Sequence, residues 1–406
     1  MKSLSKNKQA CLALVLLSAA FLGTPSQAES KFSIADGKTT TKLPFELIDN
    51  RVFVEVQLNG RGPFHFILDT GAGDFAIDDD VARKLGLQVA EAGQESGVGE
   101  KKVRTGRAQI AKLQLGDLRF EDIEATVLPN FDLGNVFGKK PLDGIVGLPL
   151  FQQVVVKHDY IHMVLRFTLP NKFSYRGAGA IVHFDRPRQI PVVDAELDGV
   201  PGKFGIDTGA RSSLLAYGPF ADQNKLKEKY DAKLEGVTGW GIGGPVRSLL
   251  ARAKELKIGK VVVPDLVVRL STQKTGLSTS SAMAGLIGPD VLSQFDLTID
   301  YSRNRLIFEK NKHYGRRDTY DRAGMWIGQD GEHFMIVDVI TGGPADEAGI
   351  KRGESILAID GFSTDKLVLP EVRDNIRRDA VGKRITLLLE SHGKRRAAVV
   401  TLRDLV

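Results

Sequence analysis

Two Asp-Thr-Gly-Ala segments constrain this sequence most, because each places a carboxyl group where an apolar run meets a glycine. The two acids are Asp69 and Asp207, 138 residues apart. One acid in such a position is an ordinary turn residue. Two acids from matching positions can form a facing pair that shares one proton, since like charges in contact do not both ionise easily. Such a pair places an acid beside a base, which is the chemistry needed to activate a water molecule.

Further matching segments continue along both halves of the chain. They are Asn59-Gly60 with Asp198-Gly199, Gly144–Gly147 with Gly285–Gly288, Asp159-Tyr160 with Asp300-Tyr301, and Leu165–Phe167 with Leu306–Phe308. The first pair consists of hairpin-turn dipeptides, and the last three pairs share one offset of 141 residues, as from Gly144 to Gly285. A nearly constant offset predicts one lobe present twice, and its period is too long for a solenoid repeat.

The composition predicts a mostly β globular protein. The 406 residues allow two or three domains, and a hydrophobic content of 42% with 26% charged residues is ordinary for globular proteins. The 43 glycines suit a turn-rich β fold. Apolar residues alternate from Arg51 to Leu58, as in a half-buried strand, and Ile77–Gly86 is predicted to form a short helix.

Residues 1–28 have the pattern of a secretory signal peptide. Three lysines precede the apolar stretch Cys11–Gly23, and Ser26-Gln27-Ala28 fits a cleavage site of small residues. The apolar stretch is too short to span a bilayer comfortably. We therefore predict an exported protein, periplasmic or secreted, that begins at Glu29; an uncleaved membrane anchor is the alternative.

Export removes the only cysteine, Cys11, which excludes disulfides and thiol catalysis in the mature chain. The full chain has 56 basic and 50 acidic residues; without the three signal-peptide lysines 53 basic residues remain, a net charge of +3. The sequence shows no basic stripe with interleaved aromatic residues, so we predict no nucleic-acid partner. After the signal peptide no segment is long and apolar enough to predict a membrane span.

A glycine-rich stretch follows each acid motif at a similar distance. These stretches are Gly93–Gly99 and Gly236–Gly244, and residues typical of a returning strand follow both. Each is a candidate hairpin over the acid pair, and an ordinary surface hairpin is the alternative. The candidate substrate-binding residues in them are Gly97, Val98, Gly99, Gly239, Trp240 and Gly241.

The acidic run Asp78-Asp79-Asp80 has two interpretations. In the first turn of a helix it interacts favourably with the positive end of the helix dipole. A metal site is the alternative, but adjacent helical residues do not share a face. The helix-terminus interpretation is therefore preferred.

The sequence changes character after the basic, polar stretch Asn311–Arg322, which is predicted to be a linker. Predicted elements follow in the order strand, turn with a short helix, strand, helix and two closing strands. Their ranges are Phe334–Ile340, Gly342–Ile350, Ser355–Gly361, Val372–Arg378, Arg384–Glu390 and Arg396–Leu402.

Residues 40–310 resemble aspartic proteases of the pepsin or retropepsin type. The resemblance implies a bilobal acid-protease fold of two related β-barrel lobes, expected at 29–170 and 180–312, that needs no metal or cofactor. The Asp-Thr-Gly motifs carry the catalytic acids in these families, and Ile145-Val146-Gly147 and Leu286-Ile287-Gly288 match the element that packs beneath them. Protein or peptide substrates are the expected partners.

The resemblance assigns roles to six residues of the two motifs. One dyad acid accepts a proton from water while the other polarises the scissile carbonyl, the threonines bond to the opposite lobe, and the glycines let the backbone approach closely. The residues are Asp69, Thr70, Gly71, Asp207, Thr208 and Gly209. The protonated member of the pair is not assigned, because such a pair titrates as a unit.

This chain departs from those families in several places. Ala72 and Ala210 after the motifs are more similar to retropepsins than to pepsins. Neither glycine-rich stretch contains the tyrosine of pepsins, and Trp240 is the nearest substitute. Gly73 and Arg211 stand where retropepsins often have an aspartate that helps to hold the substrate backbone.

Residues 321–406 resemble a PDZ domain, through Gly343-Pro344-Ala345, Ala348-Gly349-Ile350 and Ile356–Gly361. The resemblance implies that a peptide with an apolar C-terminus adds as a strand between a carboxylate-binding loop and the helix near Val372. That loop consists of Gly324, Met325, Trp326 and Ile327. Whether such a domain recruits substrates or inhibits the active site is left open by the sequence.

The sequence favours an exported aspartic endopeptidase with a PDZ domain. A catalytically inactive peptide-binding protein on the same fold is one alternative. An enzyme of another class that uses the acid pair is a second, with His158, His162 and His183 as possible bases or ligands.

Overall fold

The computed structural model describes residues 31–128, 136–186 and 190–406. The predicted signal peptide, residues 1–28, lies outside these ranges. The described residues form four β-sheets with a few short helices, which confirms the predicted mostly β class. No helix among them is long and apolar enough to cross a membrane.

The elements follow one another in three groups. The first group comprises β1 (Lys31–Ile34), β2 (Thr40–Pro44), β3 (Glu46–Ile48), β4 (Arg51–Leu58), β5 (Arg61–Leu68), β6 (Ala76–Asp78), α1 (Asp79–Leu85), β7 (Val89–Ser96), β8 (Lys102–Leu115), β9 (Leu118–Leu128), β10 (Gly144–Val146), α2 (Leu148–Gln153), β11 (Val155–Asp159) and β12 (Val164–Thr168). The second comprises β13 (Ala180–His183), β14 (Val192–Leu197), β15 (Val200–Ile206), β16 (Leu214–Ala216), α3 (Gly218–Gln223), α4 (Leu226–Lys229), β17 (Glu235–Gly241), β18 (Gly244–Ile258), β19 (Val261–Ser271), β20 (Gly285–Ile287), α5 (Pro289–Leu292), β21 (Phe295–Asp300) and β22 (Arg305–Lys310). The third comprises β23 (Met325–Asp330), β24 (His333–Val339), α6 (Pro344–Glu347), β25 (Ser355–Ile359), β26 (Phe362–Ser363), α7 (Leu369–Arg378), β27 (Arg384–Ser391) and β28 (Lys394–Thr401).

The two halves repeat one strand order. The first lobe has the path β5-β10-β6-β9-β8-β7, and the second has the path β15-β20-β16-β19-β18-β17. A third sheet, in the order β13-β22-β21-β11-β12-β2, draws strands from both halves and joins them. The motif acids follow β5 and β15, the corresponding strands of the two lobes, and therefore meet where the lobes join.

Parallel strand pairing fixes each motif at the end of its strand. Leu68 pairs with Val146, and the next amide, that of Asp69, donates to the Val146 carbonyl at 3.0 Å. The Asp207 amide donates to the Ile287 carbonyl at the same distance, 3.0 Å. The glycine after Val146 is required by space, because a Cβ on Gly147 would overlap the carbonyl oxygens of the loop that follows Asp69.

Local sequence signals were accurate. Strand β4 has the predicted bounds, and the turn after it has φ angles of 50° at Asn59 and 75° at Gly60, as a two-residue hairpin requires. Helix α1 ends at Gly86, which has a φ of 68°. The predicted elements of the C-terminal domain, residues 321–406, are also present, with bounds that differ by a few residues.

The acidic run caps α1, as the preferred interpretation predicted. The Asp78 side chain accepts a hydrogen bond from the Asp80 amide at 2.8 Å, and Arg83 pairs with both Asp79 and Asp80. The three carboxylates nevertheless lie within 4.8 Å of one another. They are closer than three helical residues would be, because Asp78 precedes the helix as its N-cap.

The predicted linker Asn311–Arg322 contains no helix or strand, and part of it packs against the second lobe. Asp318 and Tyr320 are buried against the second lobe. The Asp318 carboxylate accepts from the Val267 amide at 2.8 Å, and the Tyr320 hydroxyl donates to the Val237 carbonyl at 3.1 Å. A polar composition does not reveal such contacts, because the buried partners of Asp318 and Tyr320 lie far away in the sequence.

Arg377 of α7 completes this interface. Its guanidinium contacts the carboxylates of Asp290 and Asp318, each at 2.7 Å, and all three residues are buried. Burial works against the charge on Asp290, yet Arg377 holds the pKa of Asp290 below its ordinary value. Burial and the charge of Asp290 raise the pKa of Asp318. The positive charge of Arg377 thus reduces the repulsion between two neighbouring buried carboxyl groups.

We predict that Arg377→Ala lowers the free energy of unfolding by about 3 kcal/mol or more, because it leaves buried carboxylates without their cation. Urea unfolding curves measure the loss. Arg378→Ala is the matched control: Arg378 lies on the exposed face of α7 and pairs with Asp374 at 2.6 Å, so its loss is expected to cost under about 1 kcal/mol. Equally small losses in both variants would contradict a role for this ion pair in holding the C-terminal domain.

Candidate active site

The two motif acids lie side by side between the lobes. Their carboxyl groups lie close together, because a Cβ on Gly71 would be 3.1 Å from an oxygen of each, and both side chains remain partly exposed. The Gly71 amide donates to Asp69 Oδ1 at 2.7 Å, and the Ala210 amide donates to Asp207 Oδ1 at 2.9 Å. Backbone donors of this kind favour the charged form of a carboxylate.

The motif threonines bond across the joint between the lobes. The Thr70 amide donates to Thr208 Oγ1 at 3.0 Å, and the Thr208 amide donates to Thr70 Oγ1 at 3.1 Å. The Thr70 hydroxyl donates to the Ile206 carbonyl at 2.6 Å and the Thr208 hydroxyl to the Leu68 carbonyl at 3.0 Å. Because both threonines are buried, these four bonds fix the loops that carry the acids.

Space around the carboxyl groups explains the motif glycines. A Cβ placed on Gly209 would overlap the Asp69 carboxyl group, and a Cβ on Gly71 would lie 3.1 Å from oxygens of both acids. Any larger residue at these positions would separate the pair. The structure therefore brings together all six candidate residues of the two Asp-Thr-Gly motifs.

Contact between the acids shifts their titration. Burial raises the pKa of Asp207 well above its ordinary value, and the neighbouring charge of Asp69 adds to the effect. Burial also raises the pKa of Asp69, although the amides of Gly71 and Gly209 and the hydrogen bond with Asp207 oppose the rise. The pair therefore retains a proton at a pH where an isolated aspartate is ionised, and it titrates as one unit.

Each lobe contributes a hairpin whose tip touches the other. The Gly99 amide donates to the Ile242 carbonyl at 3.0 Å, and the Lys101 amide donates to the Gly243 carbonyl at 3.0 Å. The candidate residue Gly97 lies at the first tip, beside these contacts. The tips of the β7–β8 and β17–β18 hairpins are therefore joined by backbone hydrogen bonds.

Side chains of the hairpins pack into two apolar clusters beside the acid pair. Trp240 and Ile242, from the second lobe, pack against the first cluster, and Val98, from the first lobe, packs against the second. The first cluster includes Phe53, Ile67, Val136, Phe137 and Ile145, and the second includes Leu215, Tyr217, Val246 and Leu286. Ile67 lies two positions before Asp69. Leu286 lies directly before Ile287, whose carbonyl accepts a hydrogen bond from the Asp207 amide. Each hairpin therefore covers the opposite lobe's side of the acid pair.

Arg51 is a site residue that sequence reasoning missed. It is buried at the start of β4, donates to the Gly209 carbonyl at 2.8 Å and reaches the Trp240 carbonyl at 3.5 Å. Asp49 balances its charge at 2.8 Å. No clear sequence signal indicated this role, because Arg51 lies at one end of an alternating strand that also contains Glu55 and Gln57.

Arg211 lies where the family resemblance leads one to expect an aspartate, and it turns away from the acid pair. Its guanidinium contacts Asp49 at 2.6 Å and lies over the ring of Trp326, 5.3 Å from the ring centroid. Arg373 of α7 lies over the same ring at 4.7 Å and also approaches Asp49, at 3.7 Å. Burial would raise the pKa of Asp49, but the arginines Arg211, Arg373 and Arg51 hold it below its ordinary value.

The expected peptide loop of the C-terminal domain is covered. Met325, Trp326 and Ile327 are buried, and Gly324, with a φ of 70°, lies against the turn before α6. The edge of β23 faces the lobes instead of solvent, because buried arginines tie the two parts together. The open peptide groove expected from the family resemblance is thus closed in this structure.

The three histidines of the alternative interpretation lie on or beside strands of the third sheet. His158 is buried in β11 and stacks on Tyr160 with 5.8 Å between ring centroids. Burial lowers the pKa of His158 to about 4 and keeps the ring neutral. His162 is exposed and pairs with Asp159 at 2.8 Å. No cluster of potential metal ligands within the described ranges includes a histidine.

Comparisons with known proteins agree with both halves of the resemblance. Residues 54–150 match the family model for an aspartyl protease, and residues 335–391 match that for a PDZ domain. A search of the curated proteins found no match. Among solved structures, the aspartic proteinase from Irpex lacteus is similar at 12% identity over 67% of this chain and 98% of that chain, with a TM-score of 0.44. The chain therefore carries an aspartyl protease domain and a C-terminal PDZ domain, and the resemblance is confirmed at that level.

The shared proton predicts a dependence of stability on pH. Because the raised pKa belongs to the folded state, the contribution of the pair is full below the ordinary carboxyl pKa and is lost as pH rises towards the folded value. We predict that Asp207→Asn gains stability relative to the wild type as pH rises from about 4 to about 7, by up to about 1.4 kcal/mol per pH unit. Urea unfolding at a series of pH values measures the difference.

Asp330→Asn is the control for this experiment, since Asp330 is an exposed carboxylate at the end of β23. Its stability is expected to follow the wild type across the pH range. Parallel curves for Asp207→Asn and the wild type would show that the pair does not hold the extra proton.

Proposed function

We propose that the chain is an exported aspartic endopeptidase that hydrolyses peptide bonds with a water molecule activated by Asp69 and Asp207. The facing acid pair, whose loops are fixed by the threonine bonds across the lobes, carries this proposal. The family match over residues 54–150 supports it. It requires no metal or cofactor, because the pair itself supplies both an acid and a base.

The reaction divides between the two carboxyl groups. The ionised carboxylate takes a proton from water as the water oxygen bonds to the peptide carbonyl carbon. The protonated carboxyl group donates to the carbonyl oxygen, whose developing charge it stabilises. The C–N bond then breaks as the leaving nitrogen takes a proton from the first carboxyl group, and a hydroxyl of the tetrahedral carbon returns a proton to the second, so the pair again holds one proton. Each acid therefore exchanges roles within one turnover, which suits two groups that share a single proton.

The two apolar clusters are the proposed sites for substrate side chains. They flank the acid pair, and Trp240 and Val98 of the hairpins now pack against them. Substrate would displace these side chains when the hairpin tips separate. Lids that close over a reacting bond exclude water from it and complete the site.

The covered clusters also favour one alternative, a peptide-binding protein without catalytic activity. In that case a peptide would enter when the hairpins open, and the acid pair would only hold it. The same experiment distinguishes the two functions, since only an endopeptidase releases new peptide termini.

Asp69→Asn and Asp207→Asn are each expected to reduce hydrolysis at least about 10²-fold, because either change removes the acid–base pair. The mature protein is incubated with a diverse peptide mixture, and the cut sites are mapped by mass spectrometry. Circular dichroism and thermal unfolding establish that the variants remain folded. Near wild-type turnover in either folded variant would remove the pair from the mechanism, and no cleavage by the wild type would favour the binding protein.

Opening of the hairpins is tested by locking them. A Cβ on Gly241 would lie 3.7 Å from Val98 Cβ, within the range of about 3.5–4.5 Å that a disulfide spans. The double variant Val98→Cys/Gly241→Cys should lose activity when oxidised and regain it in dithiothreitol. Val98→Cys alone is the control and should not respond to the reductant. Full activity of the oxidised double variant would show that substrate enters without separation of the tips.

Export remains a proposal based on the pattern of residues 1–28. Expression of the full-length gene in a bacterial host and fractionation of the cells test it. We predict that the protein appears in the periplasm or medium and that its N-terminal residue is Glu29. A membrane-bound product that retains residues 1–28 would instead support the uncleaved anchor.

A further inference from the structure

The groove between β23 and α7 is closed by a side chain of its own domain. Arg373 of α7 donates through Nε to the Ile327 carbonyl at 3.0 Å, and its Nη2 donates to the same oxygen. An added peptide strand would need the backbone groups of this edge. The third nitrogen, Nη1, donates out of the domain to the carbonyl of Val136 at 2.7 Å.

The segment 136–139 of the first lobe lies across this groove. A Cβ on Gly138 would be 3.2 Å from Leu369 Cβ on the groove helix and 3.4 Å from Gln329 Oε1 on the groove strand. One position further, Lys139 Nζ pairs with Glu332, beyond the end of β23, at 2.6 Å. The segment therefore contacts both walls of the groove in which the family resemblance predicts a peptide ligand.

The same segment forms one wall of the first apolar cluster. Val136 and Phe137 are buried there with Trp240 packed against them. The Phe137 ring contacts Phe53 edge to face at 5.1 Å, and the Arg51 guanidinium lies 5.1 Å from its centroid. A shift of this segment would therefore change the shape of the space beside Asp69.

Arg373 is the residue that links the groove to the cluster. It is 4% exposed, and its partners come from two domains: Ile327 and Trp326 from its own, Val136 and Asp49 from the first lobe. Burial lowers the pKa of Arg373 to about 10, with Asp49 opposing the change. The guanidinium is thus still charged near neutral pH, where it can hold both carbonyl groups.

We propose that Arg373 is a positioning residue for the side-chain pocket beside Asp69. By fixing segment 136–139 in the groove of the C-terminal domain, it sets that pocket to accept bulky apolar side chains of the substrate, as it now accepts Trp240. The groove accordingly holds an internal segment of the chain and not the free tail of a substrate. The inference rests on the proposed peptidase function, since it identifies what the pocket accepts.

Matched peptides test the selectivity of the pocket. Two series carry phenylalanine or alanine next to the cleaved bond, and kcat/KM is measured for each. Arg373→Ala is expected to lower the ratio of the phenylalanine to the alanine value at least tenfold, with most of the change in the phenylalanine series. Arg373→Lys keeps the charge but cannot bridge all the acceptors, so its ratio should be intermediate. Arg378→Ala, on the exposed face of α7, should keep the wild-type ratio. An unchanged ratio in Arg373→Ala, or an equal loss in both series, would overturn the proposal.

A measurement independent of activity separates this inference from the peptidase proposal. The chain has 2 tryptophans, so Trp326→Phe leaves Trp240 as the only tryptophan, whose emission is excited selectively at the red edge of its absorption. In that background, Arg373→Ala is expected to increase acrylamide quenching of Trp240 at least twofold, and Arg373→Lys less so. Unchanged quenching would reject the positioning role even if the protein hydrolyses peptides, whereas increased quenching without any hydrolysis would reject only the peptidase. If Arg373→Ala does not fold, the Arg373→Lys comparison decides both measurements.

Discussion

Contact between two carboxyl groups is the constraint on which the rest of this structure depends. Like charges at this distance repel, and burial adds to the cost of ionising them. The backbone amides of Asp69 and Asp207 each donate to a carbonyl of a parallel neighbouring strand. The motif threonines also bond the two acid-bearing loops to each other, and together these bonds keep the acids in contact. The glycine at 209 leaves room that no side chain would. The strand order of each lobe places the end of β5 or β15 where the two lobes meet, so the acids that follow these strands lie side by side.

A second level of organisation surrounds the buried carboxylate of Asp49. Arg51, Arg211 and Arg373 converge on it from the first lobe, the second lobe and the C-terminal domain. Three cations, two of them buried, would repel one another without it, and a buried charge without a partner is strongly destabilising. Arg51 also donates to the carbonyl of Gly209, in the loop that carries Asp207. The charge cluster around Asp49 therefore contacts the acid pair's own loop.

The sequence predicted what local patterns determine. The motif acids, the Asn59-Gly60 turn and the helix ending at Gly86 each depend on residues a few positions apart, and the structure has them as predicted. Interactions between distant residues were not predictable in the same way. A charged stretch such as Asn311–Arg322 indicates solvent exposure unless its partners are known, and Asp318 finds Arg377 only through the tertiary fold.

The hairpins show the same limit. Glycine-rich composition predicted hairpins near the acid pair, but periodicity cannot tell which lobe receives a hairpin's side chains. Trp240 of the second lobe packs against the first lobe, and Val98 of the first lobe packs against the second. The closed peptide groove was equally hidden, because the resemblance to PDZ domains is carried by residues 343–361 and not by Arg373 of α7.

The two halves repeat one strand order, yet their surroundings differ, and this difference matters for the chemistry. Gly73 follows the first motif, whereas Arg211 follows the second and packs on Trp326 of the C-terminal domain. That domain also bonds to the hairpin strand of the second lobe, where Asp338 accepts from the Val237 amide at 2.6 Å. Two identical carboxyl groups in symmetric surroundings would have equal affinities for their shared proton. Here the surroundings differ, and burial raises the pKa of both acids, which titrate as one unit. Unequal surroundings are what allow one member of such a pair to act as the acid while its neighbour acts as the base.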